Sequence, residues 1–174
     1  MRLGTPRELR PMRKAAGFTL IELLIGLVVL AILLAAAIPA FRTFIQNNRL
    51  DSQANNFVAA AQLARAEALK RGVDVTICSS NNGTSCGGNF RDGWIVIVDP
   101  GGANEFLVQS WPSPGADFQF NPNGGQVAFA PTGFSRAAVA ATLDMTLAEC
   151  SNNAARQIQV ELTGRVASRR IACP

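Results

Sequence analysis

Four cysteines are the side chains of this 174-residue chain with the clearest chemistry: Cys78, Cys86, Cys150 and Cys173. None of them forms a Cys-x-x-Cys pair and the sequence has no histidine, so a zinc site would need all four thiolates. An even number of cysteines in a chain with an export-type segment instead favours disulfides in an oxidising compartment. The alternative is four buried free thiols in a cytosolic protein.

Two pairings of these cysteines are favoured. Cys78 and Cys86 flank a loop of Ser, Asn and Gly residues, which a Cys78–Cys86 disulfide would constrain. A Cys150–Cys173 disulfide would attach the C-terminal strand to the rest of the domain. Each bond would contribute about 2–4 kcal/mol in the loop-entropy model. The other pairings stay open, because spacing alone does not fix connectivity.

Residues that commonly carry catalysis are scarce. The absence of His excludes a His-dependent triad, and Lys70 is the one lysine after the first 14 residues. The glycine pairs at 101–102 and 124–125 lie in turns and lack the context of a phosphate-binding loop. We therefore expect no enzyme, no cofactor, no metal site and no small-molecule substrate.

Glu22 is the most unusual ionisable residue, because it lies near the start of an apolar run. Residues 18–41 read FTLIELLIGLVVLAILLAAAIPAF, with no polar side chain from Leu23 to Ile38. As a helix this run would be about 36 Å long, enough to cross a bilayer core of about 30 Å. An ionised carboxylate is costly in lipid and is expected to seek a cation.

Charge predicts which way this helix would face. Basic side chains crowd residues 1–17, and the remainder of the chain has as many basic as acidic residues. The positive-inside rule keeps the N-terminus in the cytoplasm and the rest of the chain outside. A cleaved secretory signal peptide is the alternative, with small residues at Ala35–Ala37 as its cleavage site. Glu22 and the helical pattern that continues past these alanines both argue against it.

The residues Gly17-Phe18-Thr19-Leu20-Ile21-Glu22 resemble the type IV prepilin cleavage motif. The resemblance implies that a prepilin peptidase cuts between Gly17 and Phe18, and that Phe18 is then N-methylated. Pro39 falls where pilins often have a proline that kinks the helix. We expect Glu22 to pair with the new amine of Phe18 in a neighbouring subunit as the protein leaves the lipid.

The rest of the chain predicts the elements that position these residues. Apolar residues recur at helical spacing between residues 42 and 71, and Gly72 follows as a natural stop. Roughly seven short strand-like segments come after it. The predicted fold is α+β, with one long helix (18–71, transmembrane over about 18–41) packed on a mostly antiparallel, β-rich domain (72–174). The predicted helix stripe is Leu50, Ala54, Phe57, Val58, Ala61, Ala64 or Arg65, and Ala68.

The β-rich half resembles the GspH/FimT family of minor pilins and pseudopilins. The similarity rests on Cys78, on the run RDGWIV at 91–96 with Asp99 after it, and on FAPTG at 129–133. It implies a subunit of the bacterial inner membrane with a periplasmic domain, which then joins other minor and major pilins in a filament. A type IV pilus is the preferred assembly, and a type II secretion pseudopilus is the alternative.

The C-terminal tail suggests a third possible function, DNA binding, because Arg165, Arg169 and Arg170 could bind phosphates. Some members of the resembled family bind DNA through a C-terminal Gly-Arg-x-Arg element. This chain has Gly164-Arg165 but Ala167 in place of the second arginine. A pilus-borne DNA receptor is therefore an alternative function. The competing interpretation is a solvated strand end whose arginines pair with acids such as Glu161 or Glu149.

Overall fold

The computed structural model describes residues 17–122, 124–150 and 154–173; the predicted leader, residues 1–17, lies outside them except for Gly17. This part of the chain contains one long helix, α1 (Leu20–Arg71), followed by eight strands. The strands are β1 (Val75–Ser79), β2 (Gly93–Val98), β3 (Phe106–Pro112), β4 (Phe118–Asn121), β5 (Gln126–Phe129), β6 (Ala141–Leu147), β7 (Ala155–Val160) and β8 (Val166–Ile171).

The chain divides after Phe41 into two compact units, each considered by itself. The described first unit is the start of α1 with the three residues before it. Its side chains are exposed along the whole segment, apart from that of Pro39, which is outside the description. This part of α1 is long and apolar enough to cross a membrane.

The second unit consists of the rest of α1 and two four-stranded antiparallel sheets. The first sheet has the order β3-β2-β1-β5, and the second has the order β4-β6-β7-β8. β2 is buried along its whole length, as expected for a central strand whose sequence, GWIVIV, is apolar on both faces. Of the four edge strands, β3 is mostly exposed and β8 has no buried residue.

One face of α1 forms the centre of the core. Small alanines let the helix approach the sheets closely, and Phe57 fills the space beside the rings of Phe90 and Trp94, each with a ring-centre distance of 5.5 Å. The helix side chains with almost no exposure are Leu50, Ala54, Phe57, Ala60, Ala61, Ala64 and Ala68. The sequence offered Ala64 or Arg65 for one position of the apolar stripe. Ala64 is the buried residue, whereas Arg65 is only partly covered.

The predicted fold class is confirmed, and the structure adds two details to it. The β-rich domain has two sheets, which no strand pattern could reveal because pairing is a long-range property. The strand β8 is additional to the roughly seven predicted strand-like segments, although the tail was also interpreted as a solvated strand end. Its sequence, VASRRI, lacks the regular apolar alternation of a half-buried strand, because β8 lies at a sheet edge with exposed side chains.

Two disulfides constrain this unit. Cys78 is bonded to Cys86, and Cys150 is bonded to Cys173; these are the two pairs that the sequence favours. Cys78 is opposite Ile95 in the β1–β2 register, and the two belong to a small buried cluster with Ile97. The second bond connects the segment after β6 to the segment after β8.

Candidate functional site

The predicted processing motif lies at the beginning of α1. Gly17 and Phe18 precede the helix, and the Phe18 side chain is 83% exposed. Thr19 caps the helix, because its hydroxyl accepts a hydrogen bond from the Glu22 amide at 3.3 Å and its carbonyl accepts one from the Leu23 amide at 3.1 Å. The peptide bond between Gly17 and Phe18 is thus just outside the hydrogen-bonded part of the helix, and the first side chain after it is accessible.

Glu22 is in the first turn of α1, with no cation within ion-pair distance among the described residues. A carboxylate in this turn interacts favourably with the positive end of the helix dipole. The apolar side chains that follow are about half exposed or more, including Leu27, Ile32 and Ile38. None of the described side chains of this segment is buried within its own chain, so its apolar surface requires lipid or other subunits to cover it.

Pro39 lies within the helical span of α1, which is continuous in secondary structure from Leu20 to Arg71. A proline inside a helix lacks the amide that would bond to the carbonyl four residues earlier. The kink at this position stays a prediction.

In the second unit, Asp51 of α1 holds two strands of the second sheet to the helix. Its two carboxylate oxygens accept hydrogen bonds from Arg156 of β7 at 2.5 Å and from Arg170 of β8 at 3.1 Å. Arg156 is only 2% exposed and also donates to the Ala155 carbonyl and to Asn47. The hydrogen bond from Arg156 lowers the pKa of Asp51 below its usual range, and the charges of both arginines act in the same direction.

The three tail arginines do not form one cluster. Arg165 is 71% exposed and is paired with Glu161 at 3.4 Å, in the turn before β8. Arg169 donates to Gln157 at 2.9 Å, whereas Arg170 donates to Asp51. Because successive strand residues point to opposite faces, Arg169 and Arg170 are on opposite faces of the second sheet.

Sequence reasoning missed two of these structural features. The Thr19 cap had a signal, since Thr-x-x-Glu before an apolar run is typical of a helix N-terminus. The sequence also contained a signal for the burial of Arg156. Arg156, Ile158 and Val160 are two residues apart along β7, so all three side chains lie on the same buried face. Asp51 is not part of the predicted apolar stripe, and its role required knowing where β7 lies. Within the described residues, no group of Cys, Asp and Glu side chains could hold a metal ion.

A long helix with an exposed apolar start, followed by a β-rich domain, defines the class of pilin-like subunits. Comparison with protein families gives the same class. The family described as type II transport protein GspH matches residues 53–164, and the prokaryotic N-terminal methylation motif matches residues 12–38. The chain belongs to the GspH family, and the resemblance inferred from the sequence is confirmed.

Solved structures agree on the fold. The type IV minor pilin FimU of Pseudomonas aeruginosa matches with a TM-score of 0.58 at 17% identity, over 72% of this chain and 92% of that one. A second crystal form of FimU gives 0.54 at 16% identity, over 69% and 92%. At these identities the likeness concerns the fold alone. A comparison with curated protein sequences gives no match.

Proposed function

We propose that this chain is a minor pilin that is incorporated into a type IV pilus or primes its assembly. The observation that carries the proposal is the apolar first half of α1, which is exposed along its length and is preceded by the methylation motif. Such a helix needs two successive environments, the inner membrane before assembly and the helices of neighbouring subunits in the filament. The second unit, with its own closed core, would lie in the periplasm and then on the filament.

The processing step follows from the same segment. A prepilin peptidase would cut between Gly17 and Phe18, where the chain has not yet entered the helix, and Phe18 would receive a methyl group on its new amine. Glu22 would then pair with the amine of Phe18 in a neighbouring subunit. This pair would fix the axial position of each subunit, because both partners are poorly tolerated in an apolar environment when alone.

Deletion of the gene in the native host tests whether the protein belongs to a type IV pilus or to a type II secretion pseudopilus. We expect loss of surface pili and twitching motility, with normal exoprotein secretion and with rescue by the gene in trans. Loss of secretion with intact pili would instead assign the protein to a type II secretion pseudopilus. If pili and secretion both persist and only uptake of labelled DNA fails, the receptor function replaces the proposal.

The DNA-receptor alternative receives no specific support from the described residues. Arg170 is engaged with the helix, and Arg165 and Arg169 have partners of their own. DNA binding through Arg165, Arg169 and Arg170 therefore stays a prediction. Its direct test is a salt-dependent shift of duplex DNA by the protein, compared with a variant in which the three arginines are alanine.

A further inference from the structure

A polar cleft of about 370 Å³ lies on the second sheet, where β4 and β6 run side by side. It is built by the second unit alone and is independent of the processing motif. One wall comes from the loop before β2 and the other from the two strands. The polar side chains that line it are Asn89, Arg91, Gln119, Asn121, Asp144 and Thr146.

The strand register groups four of these side chains on one face. Gln119 is directly opposite Thr146, and Asn121 is directly opposite Asp144, so the two pairs are two residues apart along the same pair of strands. The alternate residues of β4 are buried in the core. The strands therefore present two rows of hydrogen-bonding groups on a rigid support, with Arg91 lining the cleft from the loop.

Of the polar side chains that line the cleft, only that of Asp144 has a hydrogen-bond partner among the described residues, and Thr146 and Arg91 are the two unpaired ones with the clearest consequences. Thr146 is 6% exposed, yet its hydroxyl makes no hydrogen bond within the part of the chain that the structure describes. Among the described residues the enclosed polar atom without a partner is Trp94 Nε1, so the unpaired Thr146 hydroxyl is reachable from the cleft and can bond to a molecule held there. The guanidinium of Arg91 has neither a carboxylate nor a hydrogen-bond acceptor among the described residues, whereas most other arginines of this unit are paired.

Asp144, in contrast, is held in place from behind. Gln157 of β7 donates to one oxygen of Asp144 at 2.7 Å, and Arg169 of β8 donates to the Gln157 amide oxygen at 2.9 Å. This chain of three side chains across the sheet fixes the orientation of the carboxylate. The second carboxylate oxygen of Asp144 has no partner among the described residues and can accept a hydrogen bond.

We propose that this cleft binds a neutral, polyhydroxylated ligand, the chemistry of a cell-surface or extracellular glycan. An anionic ligand would meet the carboxylate of Asp144, and a cationic ligand would meet the guanidinium of Arg91. A sugar hydroxyl both donates and accepts, so it can bond to Asp144, to Arg91 and to the amides at once. The volume is at the lower end of the range for small-ligand pockets, roughly 300–1,000 Å³, and suits one or two sugar rings.

The test is an array of neutral, sialylated and sulfated oligosaccharides, probed with the full-length protein in a detergent that has no sugar head group. Positive oligosaccharides are then titrated against Arg91→Gln, Thr146→Val and the surface variant Asn121→Ala. Two controls match them by residue type: Thr142→Val, exposed on the same strand, and Arg165→Gln in the turn before β8. Unfolding midpoints are measured for every variant.

We expect a neutral oligosaccharide to bind, with its affinity reduced about tenfold in each cleft variant and by less than about twofold in both controls. If Thr146→Val lowers the unfolding midpoint, its loss of binding could reflect partial unfolding. The affinity of Asn121→Ala, which changes an exposed residue, then decides whether the cleft binds the sugar. Absence of any binding at millimolar sugar, or binding that the cleft variants leave unchanged, would overturn the proposal. Binding restricted to sialylated or sulfated sugars, and lost only with Arg91→Gln, would show that the ligand is anionic. This result would overturn the proposal of a neutral ligand.

Discussion

At the scale of single residues, the ion pair between Arg156 and Asp51 decides how the helix is fixed to the second sheet. Arg156 is buried, so removal of its carboxylate partner leaves an uncompensated charge in the core. We expect Asp51→Ala to lower the free energy of unfolding by about 2 kcal/mol, a value reduced from the fully buried case because Asp51 is partly exposed. Denaturant unfolding followed by tryptophan fluorescence measures the change.

The control for this substitution is Asp117→Ala. Asp117 forms an ion pair with Arg49 at 2.6 Å, but both side chains are more than two-fifths exposed. Solvent screens such a pair, so its loss should cost less than about 1 kcal/mol. An Asp51→Ala variant no less stable than Asp117→Ala would show that Arg156 is solvated or paired elsewhere in the folded protein.

Asp51 also predicts how stability depends on pH. Its pKa in the folded protein lies below its value in the unfolded chain, chiefly because Arg156 donates a hydrogen bond to the carboxylate. The stabilisation is therefore complete above the unfolded pKa of about 3.9 and is lost as the pH falls through the lower folded pKa. We expect the unfolding midpoint to be flat above about pH 5 and to fall below about pH 4, with a shallower fall in Asp51→Asn.

At the scale of elements, the alanine stripe of α1 determines how closely the helix can approach the sheets. Ala61 and Ala64 have no exposed surface, whereas Ala59 points to solvent. We expect Ala64→Leu to destabilise the protein by about 1–3 kcal/mol, because a larger side chain must displace packed neighbours. Ala59→Leu is the matched control and should change stability by less than about 0.5 kcal/mol. Equal stability of the two variants would mean that the helix can move away from the sheets without cost.

We expect the strand β8 to depend on the disulfide between Cys150 and Cys173 more than the other strands do. It is an edge strand with mostly exposed side chains, and the bond between Cys150 and Cys173 closes the loop that contains it. Loop entropy predicts a loss of about 3 kcal/mol when both cysteines are replaced by serine. Hydrogen exchange should show lost protection in β8 and retained protection at the β1–β2 pairing. Uniform loss of protection would indicate that β8 unfolds only with the whole domain.

These elements also show where sequence reasoning ends. The helix stripe was predictable because periodicity is local, but the sequence left the choice between Ala64 and Arg65 open until the structure showed that Ala64 is the buried residue. The position of β8 beside β7 and the pairing of Arg156 with Asp51 were not predicted, because both depend on which strands become neighbours. The cleft beside Arg91 had no sequence signal at all, since its lining comes from a loop and two strands that are far apart in the chain.

At the scale of the whole molecule, we propose that the exposed apolar segment drives assembly into filaments. A substitution of Glu22 tests this role. We expect Glu22→Ala to be inserted in the membrane and cleaved after Gly17 like the wild type, because the substitution makes the helix more apolar. Its incorporation into filaments should fall about tenfold or more, since the carboxylate no longer offers a partner to the amine of Phe18 in the next subunit. Quantitative immunoblots of sheared filaments and of membranes measure both quantities in one strain.

Leu27→Ala is the control, because Leu27 is exposed in the same apolar segment and carries no charge. It should enter filaments within about twofold of the wild type, since one smaller side chain alters only a local packing contact. Equal incorporation of Glu22→Ala and the wild type would mean that register is set by shape alone. Equal losses in both variants would mean that the apolar surface of the helix, and not its carboxylate, limits assembly. Only a selective loss in Glu22→Ala supports a charge pair between subunits.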